Sequence, residues 1–162
     1  MKIGISTACL YPMELEKSLS ELIELGFRAF ECFINTESEL KPDFVARLKG
    51  LTDHAGGRII SLHPFTSICE GLMLFSEYPR RTQDGIDFYR RYFEAAQALG
   101  ARIVVMHGAK TPYPIEIERY CERFARLNEV ASDYGVTVAQ ENVNGYKSAE
   151  PDFLRGMRRI LG

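Results

Sequence analysis

Apolar residues recur along this chain with two alternating periods, about 3.6 residues and 2 residues, the spacings of a helix face and a strand face. Lys2–Ala8 is rich in Ile and predicts a first strand. Pro12 introduces a helix over Glu14–Leu25, where Leu15, Leu19, Leu22 and Ile23 fall at helical spacing and Gly26 stops it. Phe27–Phe33 predicts a second strand, with Phe27, Ala29, Glu31 and Phe33 on one face and Phe30 and Cys32 on the other. Asp43–His54 follows as a helix begun near Pro42, striped by Phe44, Val45, Leu48 and Leu51. Arg58–His63 is the third strand, with Ile59, Ser61 and His63 assigned to one face.

The second half keeps the same rhythm. Pro64 to about Pro79 reads as a longer connection, of the kind that often carries function. Asp84–Leu99 is a long helix with a wide apolar face that includes Tyr89, Tyr92, Phe93 and Ala96. Ala101–His107 is a fourth strand, apolar on both faces as in a covered parallel sheet. After a loop over Gly108–Pro114, Glu116–Tyr134 is helical. The fifth strand lies in Gly135-Val-Thr-Val-Ala-Gln-Glu-Asn142, with Val136 and Val138 on one face and Thr137, Ala139 and Glu141 on the other. Asn144–Ser148 is a loop and Glu150–Leu161 a last helix. Gly26, Gly57, Gly100 and Gly135 each stand between a helix and the next strand.

Strands alternating with helices imply an α/β fold with a parallel sheet and right-handed crossovers. Five units over 162 residues average about 32 residues, and eight would need about 260, near the ~250 of a closed (β/α)8 barrel. The expectation is a single domain, residues 1–162, forming the first five βα units of a TIM-barrel-like fold. An open flavodoxin-like sheet is the alternative, although Ser6-Thr7-Ala8-Cys9 after the first strand has no glycine-rich phosphate turn.

Composition narrows the function classes. Apolar residues make up 46% and charged residues 26%, ordinary values for a soluble globular domain. The formal net charge of -2 gives no electrostatic case for a nucleic-acid partner. None of Cys9, Cys32, Cys69 and Cys121 forms a CxxC pair, which argues against a zinc ribbon or redox motif. Neither a signal-peptide apolar region nor a membrane-length run stands out, so a cytoplasmic protein without a membrane partner is expected.

In parallel α/β folds the C-terminal strand ends carry the site. Here they present Glu31, His63, His107 and Glu141. Imidazole and carboxylate together suit a divalent ion and proton transfer next to a carbonyl. Each has a plainer reading as well. A lone strand-end histidine is often a satisfied structural group, and Glu31 could bond backbone or pair with an arginine. His54, in a last helical turn, reads as a surface residue. Phe65, Tyr113 and Tyr146 sit in loops where they could stack on a substrate or simply pack, and Lys110 and Lys147 are loop cations.

Ile60-Ser-Leu-His-Pro-Phe65, Ala98-Leu-Gly-Ala-Arg-Ile-Val-Val-Met-His-Gly108 and Gly135-Val-Thr-Val-Ala-Gln-Glu-Asn142 resemble the xylose isomerase-like TIM-barrel superfamily. That group holds sugar and sugar-phosphate isomerases and epimerases, inosose-processing enzymes and an endonuclease IV branch. The resemblance implies that Glu141 binds a divalent metal (Mn, Zn, Co or Mg) and acts as an acid/base carboxylate. It also implies that His63 and His107 contact substrate in epimerase-like members and bind zinc in the endonuclease branch. Glu31 matches an acidic residue at the end of the second strand and is expected to face substrate. The family's other ligands come from strands six to eight, beyond the five units read here.

A metal-dependent sugar or sugar-phosphate isomerase or epimerase is therefore the leading expectation. An endonuclease IV-like phosphodiesterase is an alternative. So is a partial barrel that binds or self-associates through open sheet edges, giving a homo-oligomer.

Overall fold

Five short apolar strands come together as one wall. The computed structural model describes residues 3–162, without the side chains at 67 and 68. Lys2, where the first strand was expected to begin, lies outside those residues. The strands are β1 (Ile5–Ser6), β2 (Ala29–Ile34), β3 (Arg58–Pro64), β4 (Ile103–Met106) and β5 (Thr137–Gln140). They pair in sequence order and all run parallel. The helices are α1 (Leu15–Glu24), α2 (Pro42–His54), α3 (Ser67–Met73), α4 (Pro79–Leu99), α5 (Ile117–Ser132) and α6 (Pro151–Leu161).

Right-handed crossovers that always step to the next strand place the connecting helices on one face of the sheet. A doubly wound flavodoxin-like sheet reverses its strand order and carries helices on both faces, so the order seen here is that of a barrel wall. The helix-side face forms the core. Phe30, Cys32 and Ile34 of β2, Leu62 of β3 and Val104 of β4 are fully buried there against Leu19 and Leu22 of α1 and Leu48 of α2. Each such large side chain contributes about 1.5–3 kcal/mol of burial free energy. The opposite face of β2, Ala29, Glu31 and Phe33, is only half-buried, and β1 and β5 are the edge strands.

Several expectations need correction. β1 is two residues long, because Thr7–Leu10 turns into a 3-10 helix whose start is capped by the Ser6 hydroxyl. The connection from Pro64 to Pro79 contains α3, a helix too short to show periodicity and carrying Gly71, a poor helix former, in its interior. α4 begins at Pro79 rather than Asp84, its first turn hidden by polar Arg80, Arg81 and Gln83. Of the two glycines between α2 and β3, Gly56 is the left-handed one (φ 65). Gly57 is needed for closeness instead, since a Cβ there would sit 3.1 Å from the Phe30 ring and 3.3 Å from the Arg28 carbonyl.

The most consequential correction is in β3. Phe30 pairs with Ile59, yet Glu31 pairs with Ser61, so Ile60 is an extra residue, a β-bulge. Ile59 consequently faces the core with Phe30, while Ser61 and His63 face the other way with Glu31 and Phe33. The expected shared face of Ile59, Ser61 and His63 is broken by that insertion.

No helix among the described residues is long and apolar enough to cross a membrane. Cys9, Cys32, Cys69 and Cys121 are free thiols.

Candidate metal and proton-transfer site

Parallel pairing carries the strand ends to one edge of the sheet. Register does the rest: Val105 pairs with Ala139 and Met106 with Gln140, and the Glu141 N–H donates to the Met106 carbonyl at 2.9 Å. His107 and Glu141 thus leave adjacent strands side by side. His63 reaches them from β3 on the face set by the Ile60 bulge.

Three donor atoms converge. His63 Nε2 lies 2.9 Å from His107 Nε2, His107 Nε2 lies 2.7 Å from Glu141 Oε2, and His63 Nε2 lies 3.5 Å from the same oxygen. The histidine side chains are 12% and 15% exposed and that of Glu141 is 41% exposed, so the cluster is walled by imidazole and open on the carboxylate side. The two rings meet nearly edge to face, 4.8 Å between centroids. Phe33 stands edge-on to His63 at 4.9 Å, and the buried Tyr146 ring lies 5.3 Å from His107.

Behind His63, Glu31 Oε1 lies 3.5 Å from Nδ1, and Glu31 Oε2 accepts from the Ser61 hydroxyl at 2.9 Å. A carboxylate on Nδ1 favours the tautomer with its proton there, leaving the Nε2 lone pair facing the cluster. The hydrogen bond to His63 holds the Glu31 carboxyl below its usual range, against the opposing effect of burial and with help from Ser61. His107 is pushed toward its neutral form, first by burial and then by repulsion from His63, with Glu141 opposing both.

This donor set fits a cation. Two imidazole nitrogens that face each other can share at most one proton, and Glu141 Oε2 is buried without a hydrogen-bond partner of good geometry. Among the described residues, His63, His107 and Glu141 are the group whose ligand atoms gather closely enough to hold a metal ion. A point about 2.1 Å from all three atoms, the ordinary zinc–ligand distance, lies about 1 Å off the plane of their triangle. The three atoms therefore form one face of a coordination shell, with the other side left for further ligands or substrate.

All four strand-end residues expected from the sequence reach this edge. His63, His107 and Glu141 form the cluster, and Glu31 stands behind His63. Tyr146 is beside it, whereas Phe65 is 38% exposed and, with Thr66, Cys69 and Phe88, lines a separate cavity of about 270 Å³. Tyr113 packs on the core, and Lys110 lies over the Tyr146 ring with its Nζ 5.8 Å from the centroid. A groove of about 620 Å³ runs between α2 and α4 in the outer helical layer, away from the strand ends.

Two supporting residues were missed. Glu70 of α3, 3% exposed, accepts from the Tyr89 hydroxyl and from the Gly108 N–H, each at 2.5 Å. A single carboxylate within the otherwise apolar stretch around Leu72–Phe75 was the signal for it. Gln140 lies on the helix side of β5, next to Glu141 in sequence and opposite to it in direction.

Comparison with known proteins agrees with this architecture. A family model described as a xylose isomerase-like TIM barrel matches residues 19–160. The uncharacterized protein MJ1311 of Methanocaldococcus jannaschii is 26% identical over 153 residues, covering 91% of this chain and 51% of its own length. The uncharacterized protein ML2432 of Mycobacterium leprae is 28% identical over 150 residues, covering 91% and 49%. The chain thus spans about half the length of these curated relatives. Among solved structures, a D-tagatose 3-epimerase-like protein superposes with a TM-score of 0.76 at 24% identity, over 97% of this chain and 60% of that one. The D-psicose 3-epimerase of Clostridium cellulolyticum H10 gives 0.76 at 18% identity over the same shares. An L-ribulose 3-epimerase gives 0.73 at 16% identity, over 98% and 58%. At these identities the structural likeness is one of fold.

Proposed function

The chain belongs to the xylose isomerase-like TIM-barrel family, and from that premise we propose that its strand ends hold a divalent cation and move a proton next to the carbonyl of a sugar or sugar phosphate. The observation that carries this reading is the triangle of His63 Nε2, His107 Nε2 and Glu141 Oε2, a set rich in lone pairs and short of protons. The epimerases with similar structures support the substrate class.

His63, His107 and Glu141 would hold the cation, which when bound polarises a substrate carbonyl and makes the neighbouring C–H more acidic. Glu31 fixes the His63 tautomer so that a lone pair faces inward, and its partial exposure leaves it open to a substrate contact. Glu141, the most open of the three, takes the proton from the carbon next to the carbonyl and returns it. Return to the former carbonyl carbon, with the neighbouring hydroxyl proton passing to the former carbonyl oxygen, gives the isomer. Inversion at the original carbon needs a second acid on the opposite face of the substrate.

The test is a titration of the metal-free protein with Co(II), read by visible absorption, together with NMR detection of solvent deuterium entering ketoses beside the carbonyl. Binding and exchange that both fall in Glu141→Gln are expected. Full affinity and full exchange in that variant would overturn the proposal.

The convergence of both imidazoles on the carboxylate also favours a second reading, a metal-assisted phosphodiesterase of the endonuclease IV type. The net charge of -2 argues against a DNA substrate. Nicking of an abasic duplex that requires His63 and His107 would place this reading first.

A further inference from the structure

We propose that Gln140 is a positioning residue that sets the spacing between His107 and Glu141, acting from the opposite face of the sheet. The inference rests on the metal-site reading above and extends it to a network that contains no ligand.

β4 ends at Met106 and β5 at Gln140, so the residues that carry the chemistry lie just past the last rungs of the ladder. Beyond that rung the backbone tie between the two strands is the Glu141 N–H donating to the Met106 carbonyl. Gln140 adds a side-chain tie. Its Nε2 donates toward the carbonyls of His107 at 2.9 Å, Glu141 at 3.0 Å and Met106 at 3.2 Å. Two amide hydrogens serve three acceptors, and the Met106 carbonyl, the most distant, already receives the Glu141 N–H. One carboxamide thus bridges the backbones of both chains where their functional side chains begin.

The carboxamide is oriented from behind. The Tyr120 hydroxyl of α5 donates to Gln140 Oε1 at 2.6 Å, which commits the oxygen to the helix side and the NH2 group to the carbonyls. Tyr120 is fully buried, stacked on Phe75 at 4.0 Å and met edge-on by Phe153 at 5.0 Å. The residue after His107 is Gly108, with φ 85, and a Cβ there would overlap the Tyr120 hydroxyl. The chain therefore makes room for this network immediately beside a proposed ligand.

The readout is Co(II) affinity of the purified full chain and of Gln140→Met, a substitution of similar length that removes every hydrogen bond. Outer-shell partners of this kind are worth about 10–100-fold in metal affinity, and that loss is expected. Asn128→Leu is the control. Asn128 also ties α5 to β5, accepting the Val138 N–H at 2.8 Å, but two residues before Gln140 and away from the strand ends. It should lower the urea midpoint while leaving Co(II) affinity unchanged. Wild-type affinity in Gln140→Met overturns the proposal, as does an equal loss in the Asn128 variant at matched stability.

A crystal structure of metal-free Gln140→Met gives the second measurement. Separation of His107 Nε2 from Glu141 Oε2 beyond the present 2.7 Å supports positioning, and an unchanged pair overturns it. If the wild-type protein binds no Co(II), the metal reading fails on its own account, and this structure alone decides the role of Gln140.

Discussion

Replacing Glu70 by Gln should change how stability depends on pH. Glu70 is 3% exposed, and burial raises its carboxyl from an ordinary 4.5 to about 7, against the lowering effect of the Tyr89 hydroxyl and the Gly108 N–H. Between those two values the folded protein keeps a proton that the unfolded chain has released. The folded state binds more protons there, so stability falls as pH rises from 4.5 to about 7 and levels off above. Each pH unit in the window costs about 1.4 kcal/mol, and the whole window about 3 kcal/mol, as an order of magnitude.

Gln at this position has no proton to lose, can accept from Gly108 and can donate to Tyr89. The difference in unfolding free energy, Glu70→Gln minus wild type, should therefore climb by about 3 kcal/mol from pH 5 to pH 8. His107, whose pKa is depressed by burial, acts with the opposite sign, destabilising as pH falls through its folded value. It is common to both proteins and cancels in the difference. Urea denaturation followed by circular dichroism at several pH values measures the curve. A flat difference across pH 5–8 would refute the idea that burial dominates at Glu70.

Two further substitutions probe the neighbouring geometry. Gly108→Ala forces a left-handed residue, at about 1–2 kcal/mol, and displaces the Tyr120 hydroxyl from Gln140, at about 1 kcal/mol more. Chemical denaturation should show the loss, and adding Tyr120→Phe should recover part of it by removing the overlap. Glu31→Gln weakens the hold on His63 Nδ1 while keeping an acceptor for Ser61, so Co(II) affinity should drop about 10-fold or more with little change in the urea midpoint. Unchanged affinity there would remove Glu31 from the support of the site.

The parts of the molecule visible in its sequence are those that repeat locally. Val136 and Val138 against Ala139 and Glu141 gave β5 its faces without any partner being known, and the strand ends at His63 and His107 followed from the same period. The α3 helix was hidden by its length and by Gly71. Glu70 and Gln140 were hidden for another reason. Their partners are far away in sequence, 38 residues from Glu70 to Gly108 and 33 from Gln140 to His107. A polar side chain committed to so distant a backbone group leaves no local pattern. The bulge at Ile60 was invisible because Ile59 and Ile60 are identical, so the slip in alternation is chemically silent.

That silent insertion divides β3 into two halves of opposite parity. Up to Ile59 the odd-numbered positions belong to the hydrophobic core, and from Ser61 onward they belong to the face of the proposed site. Any alignment to a relative whose third strand lacks the extra residue must open a one-residue gap at Ile60. Without it, Leu62 would be compared with positions on the site-facing side and His63 with core positions, and the family likeness of this strand would be lost at the proposed site.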